Sequence, residues 1–165
     1  MQLFGDIEAK IDTKGRAFLP SVFRKALQAS GEENLFLRKD LFQPCLILYP
    51  ESEWIKQLDT VRSKLSRWNR QHQLLYRQFV SGVEALTLDG NGRILIPKRY
   101  LQMASIDQSL QFLGLGDYIE IWKPGEKEKP FLEADNFSEA IESIMGNTFG
   151  SLSAGNILNE SGQER

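Results

Sequence analysis

"DTKGRAFLP", residues 12–20, sets a turn-forming acid, two cations around a glycine, three apolar residues and a proline into nine positions. Seventy-seven residues later "DGNGRILIP", residues 89–97, repeats Asp, Gly, Arg and Pro at the same places and keeps the apolar triplet. The same offset pairs Gly5 with Gly82, Phe23 with Tyr100, and "NLF" at 34–36 with "QFL" at 111–113. One module therefore occurs twice.

Each copy reads outward from its turn in the same way. "IEAKI" at 7–11 alternates apolar and polar residues as a half-buried strand does. Asp12 can accept hydrogen bonds from the turn backbone, Gly15 can take a positive φ without steric cost, and "AFL" resumes an extended segment. Pro20 stops that segment. Its fixed φ suits the first turn of a helix, and "PSVFRKAL" predicts a short one with Val22, Phe23, Ala26 and Leu27 inward and Arg24 and Lys25 outward. Strands at 34–37 and 45–49 complete the unit. The second copy spells "VEALTL", the turn at 89–92, "RILI", "PKRYLQM", "QFLGL" and "YIEIW". Its last strand shifts to an offset of 73, which places four extra residues in a loop of the first copy, where insertions are tolerated.

A unit of about 45 residues is too small to hold a good core alone, and its apolar strand faces need covering. The expected fold class is mainly β with flanking helices (α+β), as one pseudo-twofold β-barrel built from both repeats. Residues 1–50 form the first repeat, 51–80 a helical connector packed outside the barrel, and 81–125 the second repeat. Within the connector, Trp54, Leu58, Val61 and Leu65 make one helical stripe, and Leu75, Tyr76, Phe79 and Val80 another. Residues 126–145 form a C-terminal helical segment with a helix over 137–145 and Ser138 as its N-cap. Residues 146–165, rich in Gly, Ser and Asn, read as a mobile tail.

The net charge of −2 hides an uneven distribution. Residues 126–165 hold eight acids against three bases, which leaves residues 1–125 at seventeen bases against fourteen acids. Residues 1–27 carry five bases and three acids, and residues 54–80 six bases and one acid. The second excess also suits a solvated helix face. No apolar run approaches the roughly 18 to 20 residues that span a bilayer, and the N-terminus lacks the order of a secretory signal, so a cytoplasmic location is expected. The lone Cys45 and lone His72 leave no zinc spacing and read as a buried thiol and an exposed helix histidine.

The doubled D-x-x-G-R-x-x-x-P turn, with "CLILYPESEW", "FVSGVEALTLDGNGRILIP" and "YIEIW", resembles the MraZ proteins, members of the AbrB-like swapped-hairpin transcription factors, over about residues 1–145. The resemblance implies two AbrB-like halves in each chain, ring-shaped homo-oligomers, and sequence-specific binding to repeated DNA sites that control the division and cell-wall gene cluster. It places the D-x-x-x-R motif on Asp12 and Arg16 and again on Asp89 and Arg93. The copies differ where Lys14 of the first turn becomes Asn91 in the second, so the two turns should not be equal toward DNA.

A turn pinned by Asp12 and Gly15 would project Lys14 and Arg16 from a rigid hairpin, a shape the major groove admits. Arginine can grip guanine bidentately or clamp a phosphate, whereas Lys10, Lys14, Arg24 and Lys25 suit the phosphate backbone. Asp12 and Arg16 could equally pair with each other and stabilise the hairpin. With the family resemblance, DNA contact is expected of the first turn. For Arg93 the structural role is favoured, since Asp107, Asp117 and Glu120 dilute the charge of its repeat. An enzyme is not expected: there is no phosphate loop, no nucleophile–histidine constellation and no metal cluster. Neither a cofactor nor a small-molecule ligand is evident. The alternative is an AbrB-like protein-binding module such as an antitoxin. The duplication argues against it, and the C-terminal tail keeps it open.

Overall fold

A computed structural model describes residues 1–146. They form two compact units, Met1–Lys127 and a second that begins at Glu128. In chain order the first holds β1 (Leu3–Lys10), β2 (Arg16–Phe18), α1 (Ser21–Ala29), β3 (Asn34–Lys39), β4 (Leu46–Pro50), α2 (Glu51–Lys64), α3 (Arg70–Ser81), β5 (Val83–Thr87), β6 (Arg93–Leu95), α4 (Lys98–Met103), β7 (Ser109–Gly116) and β8 (Ile119–Trp122). The turn on each side of the duplication thus feeds a three-residue strand and then a helix.

The eight strands make an antiparallel six-stranded sheet, ordered β1-β7-β8-β4-β3-β5, and a two-stranded ribbon of β2 and β6. Exchanging the repeats maps this pairing onto itself. β1 on β7 becomes β5 on β3, β3 on β4 becomes β7 on β8, and the β4–β8 and β2–β6 pairs map onto themselves. Ala17 faces Ile94 at the centre of the ribbon, with Arg16 opposite Leu95 and Phe18 opposite Arg93. Turn and cap bonds obey the same exchange: Leu19 N donates to Gly92 O at 3.0 Å, and Ile96 N to Gly15 O at 2.8 Å. Most of the inter-strand bonds that satisfy one repeat come from the other.

The core takes its side chains from both repeats. Leu3, Leu19, Phe23, Leu37, Leu46 and Leu48 from the first copy meet Ile94, Ile96, Tyr100, Leu110, Phe112 and Ile121 from the second. Phe23 and Phe112 meet edge to face at 6.3 Å. A smaller cluster of Ile47, Tyr49 and Trp54, with Phe36, Leu58 and Phe79 against it, seats the connector helices. That connector breaks at residues 65–69, where His72 Nδ1 accepts from Ser66 N at 2.9 Å, so the histidine ties down the break and is half-buried instead of exposed. Asn69 caps α3 by accepting from Gln71 N and His72 N.

Several local expectations need correction. Pro20, Pro50 and Pro97 stand at the N-cap positions of α1, α2 and α4, one residue earlier than a first-turn proline. Val22 is exposed and Arg24 half-buried, because α1 turns its Phe23 and Leu27 face to the core while Arg24 reaches back to its own entry loop. Leu75 and Val80, expected on a packing stripe, remain exposed. The C-terminal helix, α5, spans 134–146, and Ser138 lies inside it with its hydroxyl donating to Ala134 O. The tail expectation for 147–165 lies outside the described residues.

Candidate nucleic-acid interface

The first turn is built around one carboxylate. Asp12 Oδ1 accepts from Lys14 N at 3.0 Å and Arg16 N at 2.9 Å, while Oδ2 accepts from Arg16 Nε at 2.7 Å. Asp89 repeats the set, with Asn91 N and Arg93 N at 2.9 Å and Arg93 Nε at 2.8 Å. Backbone donation from Arg16, then the Arg16 side chain and Lys14 N–H, hold the Asp12 carboxyl below the ordinary aspartate range, and Arg93 and Asn91 do the same for Asp89. A depressed folded-state value means this bonding contributes fully above the ordinary carboxylate range and is lost as pH falls from there through the lowered folded-state value.

The pairing weighed as the structural alternative for Asp12 and Arg16, and the structural role favoured for Arg93, are therefore both seen as formed ion pairs. They use only Nε. Neither terminal nitrogen of Arg16 has an acceptor among the described residues, and that end of a guanidinium is the one that forks onto guanine or a phosphate. The carboxylate thus fixes the orientation of the arginine and leaves its fork open.

Gly15 closes the turn at φ +92°, and a Cβ there would lie 2.5 Å from Ile96 O. This glycine is required twice over, by its conformation and by the backbone of the other repeat. Gly92 has φ +80°, but its neighbour is the Arg24 side chain, with Nη1 2.7 Å from a hypothetical Cβ. Arg24 Nε donates to Leu19 O at 2.9 Å. The cation absent from the second turn at Asn91 is thereby supplied across the ribbon by the first repeat. Leu101 holds the equivalent place beside Gly15, and Lys98 of α4 lines the depression next to Asp12 and Gly15.

Period-two alternation puts Ala17, Leu19, Ile94 and Ile96 inward and leaves Arg16, Phe18, Arg93 and Leu95 on the outer face. Phe18 and Leu95 are more than half exposed, and the Arg93 guanidinium lies over the Phe18 ring at 5.8 Å. Sequence reasoning missed Phe18, Leu95 and Lys98. The signal for the first two was available, since a strand whose residues 17 and 19 point in must point 16 and 18 out. Of the other candidates, Lys14 is exposed in the turn, Lys25 is exposed on α1, and Lys10 ends β1 opposite Ser109. Cys45 is buried, and burial together with Glu120 pushes its thiol up to about 12, which leaves it inert as a nucleophile. Among the described residues no helix is long and apolar enough to cross a membrane.

Comparison with known proteins adds an independent line. The family model described as "MraZ protein, putative antitoxin-like" matches residues 3–77 and again 79–145, in tandem. The chain is 56% identical to a protein of Phocaeicola vulgatus named transcriptional regulator MraZ, over 88% of this chain and 95% of that one. It is 52% identical to the Bacteroides fragilis protein of the same name, over 88% and 92%, and 34% identical to that of Flavobacterium psychrophilum, over 88% and 92%. The duplicated turn, the exchange of strands between repeats and the tandem match agree: the chain belongs to the MraZ family, a family of transcriptional regulators and not of enzymes.

Proposed function

We propose that this protein is a DNA-binding transcriptional regulator that lays the outer face of its β2–β6 ribbon, with one turn at each end, into the major groove. The observation that carries this reading is the pair of aspartate-oriented arginines, Asp12–Arg16 and Asp89–Arg93, each with its terminal fork unoccupied. Arg16 reads a base edge. Lys14 at the first turn, and Arg24 at the second, hold phosphates, with Lys10, Lys25 and Lys98 around them. Phe18 and Leu95 offer apolar surface of the kind that meets thymine methyl groups.

The finer features follow the same reading. β1 packs beside β2 and β5 beside β6, which supports closure of sheet and ribbon into a swapped-hairpin barrel. The regulator acts in the cytoplasm on the nucleoid, as a ring-shaped homo-oligomer whose turns engage repeated sites upstream of its own division and cell-wall operon. Repetition matters physically, because several weak turns on one ring gain effective concentration at successive repeats. Anisotropy titrations of the protein's own upstream duplex and of a scrambled duplex, across a salt series, test the reading. Specific binding should exceed scrambled binding by on the order of a thousandfold at physiological salt. Equal affinity for both duplexes would remove it.

A further inference from the structure

Strand β3 turns Leu35 and Leu37 into the main core and Phe36 and Arg38 to its other face, against the connector helices. Arg38 is only 6% exposed there, and its guanidinium lies over Phe79 at 4.2 Å and Trp54 at 6.0 Å. The fold does not require a cation at this place. Arg38 sits between Ile47 and Val83, and the register gives Leu113 the same position in the second repeat, between Glu120 and Asp6.

A cation this deeply buried ordinarily has a carboxylate partner. Arg38 forms no ion pair among the described residues, and its one hydrogen bond, from Nε to Lys39 O, is long at 3.3 Å. Asp40, two residues on, turns its Oδ2 to Phe42 N and Gln43 N instead. Burial, only partly offset by Tyr49, Asp40 and Tyr100, draws the Arg38 pKa below the ordinary arginine value. Among the described residues no side-chain nitrogen sealed from solvent lacks a hydrogen-bond partner, so the unpartnered terminal nitrogens of Arg38 reach the open space that it lines.

That space is a groove of about 740 Å³ between α2, α3, α4 and the β3–β4 loop, a volume within the usual range of small-molecule sites. Val61, Leu65, Leu75, Phe79 and Met103 supply its apolar walls. The other cations on its lining already have partners: Lys39 Nζ donates to Asp40 O and Gln43 O, and Arg99 pairs with Glu84. The groove thus offers one uncompensated positive charge with mainly apolar surface around it.

We infer that this groove is a binding site for a small amphipathic monocarboxylate, whose carboxylate forks onto the terminal nitrogens of Arg38 and whose apolar body lies along the Val61, Leu65, Leu75 and Met103 walls. Phe79 and Trp54 hold the guanidinium by cation–π contact, which uses none of its N–H donors. A planar carboxylate can then take two parallel hydrogen bonds from it. One negative charge matches one free cation, whereas a phosphate dianion would bury a charge with no counterpart. The site goes beyond the DNA reading, and neither depends on the other.

Titration calorimetry on the full chain tests this with decanoate and with decanol, the same alkyl chain without the charge. The parent should bind one decanoate per chain, and decanol roughly tenfold more weakly. Arg38→Leu, which installs the residue type used by the second repeat, should bind decanoate no better than decanol. Leu75→Glu, at a half-exposed wall position, should keep the parent's thermal unfolding profile and lose decanoate affinity by a similar factor. That variant decides the matter even where Arg38→Leu fails to fold. The inference is overturned by a parent that binds no decanoate, as it would with a second copy seated in the groove, or by equal affinity for decanoate and decanol. Inorganic phosphate that binds as tightly as decanoate, or a folded variant that binds decanoate like the parent, overturns it as well.

Discussion

Gly15 and Gly92 hold equivalent turn positions but meet different neighbours. At Gly15 a Cβ would strike the Ile96 carbonyl, which is backbone inside the core and cannot give way. At Gly92 the obstacle is the end of Arg24, a flexible side chain. Gly92→Ala should therefore cost mainly its left-handed conformation, about 1–2 kcal/mol, and Gly15→Ala clearly more. Urea titration of both variants checks the order, and equal losses would mean that the two turns are not held as described. The pinning of the turn by Asp12 and Gly15 was legible in the sequence because turn chemistry is local: an acid and a glycine within four residues. The inward reach of Arg24 was not. Its acceptor Leu19 O is local, but its contact with Gly92 exists only because β2 pairs with β6. A helical wheel of α1 alone points that residue at solvent.

At the scale of elements, the duplication made the order of strands and helices readable, since each copy checked the other. The partners were not readable. Alternation in β1 says that one face is buried and is silent on whether β7 or β2 lies beside it. The observed answer is that β1, β2, β3 and β4 each pair with a strand of the other repeat. A peptide of residues 1–50 should accordingly have no folded monomeric state. It should be unfolded when dilute, or fold only by pairing with a second copy, so its melting midpoint would rise with concentration. A cooperative, concentration-independent melt of the peptide would contradict the exchange of strands. The start of α5 was misjudged for a different reason. Ser138 is a good cap residue in isolation, but the helix begins earlier, with Phe137 N donating to Glu133 O, and a serine inside a helix can satisfy its hydroxyl on the carbonyl four residues back.

For the whole molecule, the acidic net charge is a poor guide to its partner, because the acidic excess lies beyond residue 125 while Lys14, Arg16, Arg24, Arg93 and Lys98 lie at or beside the two turns. The central claim is that the first turn contacts DNA through Arg16, positioned by Asp12. The most direct test is the affinity of the Arg16→Ala protein for a repeat-containing operator duplex as a function of salt, with assembly verified by light scattering on the same sample. The account predicts an intact oligomer whose binding is weakened by about 1–3 kcal/mol per engaged turn, since one base-reading fork is lost at each. Lys14→Ala beside it should weaken all sequences alike and flatten the logarithmic salt slope by about 0.9 per phosphate contact removed. An Arg16→Ala oligomer that binds the operator with unchanged affinity and unchanged salt slope would contradict the account and leave the Asp12–Arg16 pair as a brace for the hairpin alone.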